Sequence, residues 1–446
     1  MSYVPHTESE RSDMLAAIGV ARMEDLFADV PAAVRFPELN LPPPASEPEI
    51  MAEMHALAAR NHLAEPALSF LGAGTYRHFR PAVVDHVLGR SEFYTSYTQY
   101  QPEVSQGMLQ TLFEYQSMVC RLTGMEVSNA SHYDGATALA EAVLLALNVG
   151  AGKRRRIILS PAVHPQYRAV VKTYLRGNHA TIVGDEDVTT NLAQLKSMLD
   201  QDTAALVIQN PNFFGQCEPV DGLAAAVHAA GALLIVVADP IALGLYRPPG
   251  AWGADVVVAE GQSLGIPPSF GGPHLGIFAS RMAHVRRLSG HLVGETVDVD
   301  GRRAYVLTLA TREQHIRRAK ATSNICTNSA LCAVGAAVYL AAMGNRGLRR
   351  VAELCFHRSH YAAAAIAKLE DFAVPPQPFF KEFVVRCPAP VDEINAHLRE
   401  HHGIVGGYDL GRDDPQLRNH MLVCVTEMNP RGAIDRLVAA LDEVAR

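Results

Sequence analysis

The chain has 446 residues, and its balance of 48% hydrophobic to 19% charged residues is that of a well-cored globular protein, which excludes disorder and fibre. A net charge of −7 argues against a nucleic-acid binder held by bulk charge and against a polybasic membrane binder. The length suggests two or three domains and a core large enough to need no disulfide or metal staple.

The first 70 residues read as helices and connectors, a helical arm. Thr7 with Glu10, and Ser46 with Glu49, fit the capping box, in which the hydroxyl accepts from the first helical turn and the glutamate reaches back. Leu41-Pro42-Pro43-Pro44 between them is a stiff extended link. A large domain is expected over 71–344. It opens with the polar run Tyr94 to Glu103 and a helix following Asp134, from Gly135 to Asn148. Short apolar runs then alternate with helical patterns. Strands are predicted at Arg156–Ser160, Ala180–Val183, Ala204–Gln209, Leu233–Asp239, Ala254–Ala259 and Leu275–Ala279. Helices are predicted at His164–Leu175, Asn191–Asp200 and Asp221–Ala230. Apolar strands alternating with helices mean a mostly parallel sheet covered on both faces, an α/β fold. The uncharged stretch Ala321–Asn345 reads as a buried or interface helix rather than a membrane span. A small C-terminal α+β domain is expected over 345–446. Its elements are a helix at Gly347–Leu369, strands at Glu382–Cys387 and Met421–Thr426, and helices at Val391–His401 and Arg431–Ala445.

The cysteines (Cys120, Cys217, Cys326, Cys332, Cys355, Cys387 and Cys424) are odd in number, and no pair is spaced C-x-x-C. They read as free thiols of a reducing cytosol. The N-terminus is polar, without the apolar segment of a signal peptide, so a cytoplasmic location is expected. The histidines show no metal-ligand spacing, and neither a Walker loop nor a G-x-S-x-G elbow occurs.

Three features carry chemistry. Asp134-Gly135-Ala136-Thr137 opens an alanine-rich helix whose small residues and free N–H groups favour an anion. Asp239 ends a buried strand, where open α/β sheets bind ligands; capping a turn is the equally good structural reading. Glu260-Gly261-Gln262-Ser263-Leu264-Gly265 follows the next strand, with Gly271-Gly272-Pro273-His274 behind it. An anion cradle, an aspartate-ended strand and a glycine-rich loop form the layout of fold-type-I pyridoxal-phosphate enzymes. There the aspartate pairs with the pyridinium nitrogen and a lysine of the late loop forms the Schiff base. Here that loop carries Gln262, and no lysine occurs from Ser197 to Ala319. Of the chain's six lysines, Lys320 is the one considered as a substitute. Glutamine forms no imine, so the scaffold reads as a degenerate subunit.

Four ordered motifs carry a family resemblance. They are Tyr97-Thr98-Gln99-Tyr100-Gln101-Pro102-Glu103-Val104-Ser105-Gln106-Gly107, Tyr133 to Ala138, Glu260 to Gly265, and Ala321-Thr322-Ser323-Asn324-Ile325-Cys326-Thr327-Asn328. The chain resembles the glycine decarboxylase (P protein) of the glycine cleavage system, and within it subunit 1, the alpha chain of the split bacterial form, over nearly its whole length. The resemblance implies a PLP-transferase-like fold and a heteromeric enzyme. It implies that pyridoxal phosphate and its lysine reside on the partner beta chain (subunit 2), with no cofactor covalently bound here and no catalytic residue of this chain's own. Glycine would lose CO2, and its aminomethyl group would pass to the lipoyl disulfide of the H protein. The T and L proteins would be indirect partners; nucleic acid and membrane are not expected. Tyr94, Tyr97, Tyr100, Gln101, Thr322, Ser323 and Asn324 would be interface contacts shaping the partner's site, with Asp134, Gly135, Ala136, Thr137 and Asp239 as a vestigial cradle. Structural loops are the alternative reading of the two polar segments.

Two rival readings remain beside this one: a purely structural partner of a PLP enzyme, and a self-sufficient PLP enzyme using Lys320. A nicotinamide-binding fold is disfavoured because no G-x-G-x-x-G opens the first strand–helix unit.

Overall fold

The computed structural model describes residues 5–61, 68–94, 100–325 and 327–444. The chain divides into two compact units, Met1–Leu63 and Ala64–Arg446. In the first, helices Glu8–Ile18 and Glu47–Ala58 start at the two expected capping boxes: the Thr7 N–H donates to Glu10 at 2.7 Å, and the Ser46 N–H donates to Glu49 at 2.7 Å.

The second unit is built on a seven-stranded sheet. Its strands are β1 (Val127–Ser128), β2 (Arg156–Leu159), β3 (Thr181–Val183), β4 (Thr203–Asn210), β5 (Leu233–Ala238), β6 (Val256–Glu260) and β7 (Gly276–Ser280). The spatial order is β1-β7-β6-β5-β4-β2-β3. From β3 to β6 all pairings are parallel. Strand β7 instead runs antiparallel to β6. The reason is local: 261–275 carries only a one-turn 3-10 segment, and a parallel return needs a longer crossover. The two-residue β1 then pairs antiparallel with β7 and closes that edge. It is too short for a periodic signal in the sequence.

Helix Gly135–Val149 covers one face, burying Leu139, Val143 and Leu145 in a cluster that includes Phe278 and Val258. On the other face, helix Gln106–Thr123 buries Leu109, Leu112, Tyr115 and Val119 at helical spacing and ends on Gly124 with φ 71°. These clusters are the fully apolar strand runs seen from either side, which is why the strands read as continuous hydrophobic segments.

Two sequence expectations change. The hairpin β8 (Leu292–Val297) and β9 (Arg303–Thr308) lies where the sequence pattern predicts no strands. Its turn signal is Asp300-Gly301, with Gly301 at φ 78°. The helix expected at Ala321–Asn345 begins only at Ala330 and continues to Ile366 across a break at Gly344 (φ 58°, ψ −176°). Residues 321–325 and 327–329 are non-helical, and serine hydroxyls compete there for the backbone: the Ile325 N–H donates to Ser323 Oγ at 3.0 Å, and the Ser329 N–H donates to Ser131 Oγ at 3.1 Å. The helix is long and apolar enough to cross a membrane by composition. Here it buries Ala333, Val334, Ala336 and Tyr339 in the core.

A three-stranded antiparallel sheet forms the C-terminal region from β10 (Glu382–Arg386), β11 (Tyr408–Asp409) and β12 (His420–Cys424) in the order β10-β12-β11. Helices Val391–His402 and Arg431–Val444 bury Ile394, Leu398, Ile434 and Leu437 in a core shared with Phe383 and Val423. The segment entering β10 is held to the large sheet: the Phe380 N–H donates to Gly215 O at 3.2 Å, and the Cys217 N–H donates to Pro378 O at 2.8 Å.

Candidate functional site

Three elements converge at the carboxyl ends of the central strands. Helix Gly135–Val149 points its N-terminus there, Asp239 stands one residue past β5, and Glu260 ends β6. Asp134 caps the helix, its Oδ1 accepting from the Thr137 N–H at 2.7 Å and the Thr137 hydroxyl at 2.9 Å. The next N–H, on Gly135, donates to Glu260 Oε2 at 3.0 Å. The other oxygen of Glu260 accepts from the Gln262 N–H at 2.9 Å and the Leu275 N–H at 3.0 Å. His274 Nδ1 lies 3.4 Å from the same oxygen, and the carboxylate raises the histidine's pKa above its usual value. One carboxylate therefore collects three backbone donors, one of them the first N–H of a helix, a place suited to an anion. A side chain at Gly135 would put its Cβ 2.4 Å from the Tyr167 hydroxyl, so only glycine fits there.

Asp239 is engaged as well. Its Oδ2 lies 2.6 Å from Lys381 Nζ, while Oδ1 accepts from the Ile241 N–H at 2.8 Å. Lys381 is 1% exposed, its ammonium 3.4 Å from the centre of the Tyr76 ring and 3.2 Å from His78 Nε2. Burial works against both charges. The pair's mutual attraction outweighs it, holding the Asp239 carboxyl below its usual pKa and the Lys381 ammonium above its own. Neighbouring groups complete the network. Tyr76 donates its hydroxyl to Glu382 Oε2 at 2.8 Å, and Glu427 accepts from the Phe79 N–H at 2.6 Å while facing His78 Nδ1 at 2.8 Å.

Gln262 is 1% exposed and fully used. Its Oε1 accepts from the Tyr76 N–H at 2.9 Å, and its Nε2 donates to Tyr76 O at 3.0 Å and to Ile266 O at 2.6 Å. Between Tyr76, His164, Tyr167, Asp239, Glu260 and Lys381 lies a cavity of about 40 Å3, room for roughly three waters. His164 stacks on Tyr167 with ring centres 5.0 Å apart.

The chain matches the Glycine cleavage system P-protein family over residues 1–441. Its relatives include the probable glycine dehydrogenase (decarboxylating) subunit 1 of Thermomicrobium roseum, 54% identical over 99% of both chains. The protein of the same name from Geobacillus kaustophilus is 51% identical over 99% of this chain and 98% of its own length. A crystal structure of glycine decarboxylase (P-protein) of the glycine cleavage system, in inhibitor-bound form, is similar over the full length of both chains with a TM-score of 0.91 and 45% identity. This chain belongs to the glycine cleavage system P-protein family. A sphingosine-1-phosphate lyase from Burkholderia pseudomallei, 17% identical with a TM-score of 0.65 over 93% of this chain, shares the fold alone.

Pyridoxal phosphate is the cofactor this fold family implies, and the residues of this site do not fit it. The loop after β6 carries a hydrogen-bonded glutamine and no lysine to form an imine, the N–H groups at the helix start face a carboxylate, and Asp239 already has a cation. Lys320, the lysine considered as a substitute, is exposed on a one-turn segment, and the lysine that reaches Asp239 is instead Lys381. Protonated and ion-paired, Lys381 is no nucleophile. Sequence spacing did not reveal it, because it comes from the C-terminal region. Along the chain the histidines show no metal-ligand spacing. In three dimensions His78, Cys355 and Glu427 bring ligand atoms within 4.8 Å of one another, but Cys355 donates to Glu427 and burial pushes its thiol pKa well up.

The polar segments form a separate neighbourhood. Tyr94 is exposed, Gln101 opens a one-turn segment, and the Tyr100 hydroxyl lies 3.0 Å from His291 Nε2. Tyr97 and Cys326 lie outside the described residues. Thr322 and Ser323 line a small crevice with Arg286, Arg287 and Arg312, and Asn324 is exposed. Beneath this loop Glu141 is 3% exposed, and burial pushes its pKa up to about 7 against hydrogen bonds from Ser323 and Ser289. An acid whose folded pKa is raised loses stability as pH climbs from its unfolded value of 4.5 to about 7. Glu141→Gln should therefore match the wild type at pH 4 and exceed it by about 3 kcal/mol above pH 7. Chemical denaturation at both pH values checks this; a difference independent of pH would refute it.

Proposed function

We propose that this chain is the cofactor-free alpha subunit of a two-chain glycine decarboxylase. The observation that carries the reading is Gln262: the loop that should supply the imine-forming lysine supplies a buried glutamine bonded to the backbone of Tyr76, in a chain whose relatives are named subunit 1. Pyridoxal phosphate is then held by a second, lysine-bearing chain, where it supplies the electron sink for decarboxylation. Glycine gives up CO2, and its aminomethyl carbon forms a bond to one sulfur of the H protein's lipoyl disulfide as the other sulfur leaves as a thiol. The contribution of this chain is the interface: Tyr94, Tyr97, Tyr100 and Gln101 with Thr322, Ser323 and Asn324 shape the partner's substrate channel and keep water out. A cytoplasmic location fits the free thiols of the six described cysteines.

The test is borohydride reduction of the chain alone and of the co-expressed pair, each with pyridoxal phosphate, followed by peptide mass spectrometry. A stoichiometric adduct confined to the second chain is expected. An adduct on this chain, with turnover of glycine by the chain alone, would refute the reading. In the pair, Tyr100→Phe with Thr322→Ala separates a site role from scaffolding: a fall in turnover with unchanged assembly is the expected result.

A further inference from the structure

We infer that the cofactor-type site of this chain is closed by its own side chains, with Glu260 in the anion position at the start of the Gly135–Val149 helix and Lys381 in the cation position beside Asp239. The inference goes beyond the missing lysine. A site that had merely lost Gln262's counterpart would leave a helix N-terminus and an aspartate open to ligand. Here both ends are satisfied from within.

Charge chemistry makes the case at each end. Three N–H groups at the anion position, that of Gly135 at the helix start and those of Gln262 and Leu275 from the neighbouring loop, all point at the two oxygens of Glu260 at 2.9–3.0 Å. A bound phosphate dianion beside that carboxylate would meet like charge in a poorly solvated place, a juxtaposition that costs more than the donors return. At the other end, Asp239 Oδ2 and Lys381 Nζ are 2.6 Å apart, the lysine buried and the aspartate 15% exposed. A pyridinium nitrogen seeking that oxygen would have to displace an ammonium that also lies over the Tyr76 ring. What space remains, about 40 Å3, suits a few waters and not a substituted pyridine.

The closure also joins two parts of the fold. Lys381 and Glu382 enter from the start of β10, whereas Asp239 follows β5 and Glu260 ends β6 of the large sheet. Glu382 accepts from the Ala73 N–H at 2.7 Å, and Gly215 receives the chain just before it. The former ligand site thereby acts as an internal latch that needs no cofactor to hold it shut.

The experiment uses the full chain and two probes, inorganic phosphate and pyridoxal phosphate. The wild type should show no change in melting temperature with inorganic phosphate. Glu260→Ala frees three donors and should gain a saturable rise of about 2–4 °C at a hundredfold excess over the dissociation constant. Gln262→Lys alone should take up no pyridoxal phosphate after borohydride reduction, whereas Gln262→Lys with Glu260→Ala and Lys381→Met should be labelled at position 262. Saturable phosphate binding by the wild type, a folded Glu260→Ala chain blind to phosphate, or stoichiometric labelling of the Gln262→Lys chain would each overturn the inference. If Glu260→Ala does not fold, Glu260→Ser, which shortens the side chain and removes the charge, is read by the same phosphate criterion. The naming of the two positions rests on the family reading, and labelling of the partner chain tests that reading separately.

Discussion

Replacing Lys381 with methionine should lower the folding stability of the chain by about 3–5 kcal/mol, the loss that follows when one member of a buried ion pair is removed and its partner stays charged. Methionine keeps the length and the contact with the Tyr76 ring, so the loss reports the ammonium rather than a cavity. Asp239 is 15% exposed and is held in place, because its Oδ1 is tied to the Ile241 and Ala242 N–H groups. The compensating change is therefore Asp239→Asn, which retains an acceptor for those two donors and removes the stranded charge. The double variant should recover most of the loss. Urea denaturation followed through Trp252, the sole tryptophan, gives the comparison. A Lys381→Met chain within about 1 kcal/mol of the wild type would show that the pair contributes nothing beyond its own desolvation.

Gly215→Ala should be costlier still, above about 4 kcal/mol, because two mechanisms act on one atom. The residue has φ 81°, and its added Cβ would fall 2.0 Å from the carbonyl oxygen of Glu382. That oxygen belongs to the backbone of the segment carrying Lys381, so relief would require the segment to move and the ammonium to leave Asp239. Gly222 is the control. Its φ is 72°, but nothing lies within 4 Å of a Cβ there, so Gly222→Ala should cost only the left-handed strain of about 1–2 kcal/mol. Equal losses at the two positions would mean that backbone strain, and not the closeness of the Lys381 segment, sets the effect.

Much of the scaffold was legible from local pattern. β2, β4, β5 and β6 lie within two residues of their predicted bounds because a strand buried on both faces must be apolar throughout. Helix Gly135–Val149 was legible from Asp134 and the small residues after it, and both N-terminal capping boxes formed as read. The antiparallel return of β7, the β8–β9 hairpin and the late start of helix Ala330–Ile366 were not. Each depends on how a loop's length or hydroxyl groups settle against distant backbone, as Ser329 does against Ser131.

For the site the division is sharper. The sequence by itself determined the family, the cradle motif, Asp239 and the glutamine where an imine would need lysine, since these are matters of residue type at fixed spacing. Only the tertiary structure decided what fills the place. Glu260 was visible in its motif but not as a ligand of the Gly135 N–H, and Lys381 was one of six lysines with nothing local to mark it. Covalent motifs are written along the chain. The partner of a buried charge is chosen by whichever opposite charge the fold brings within hydrogen-bonding distance in a medium too dry to leave it alone, and here that partner is the residue that leads into a strand of the other sheet.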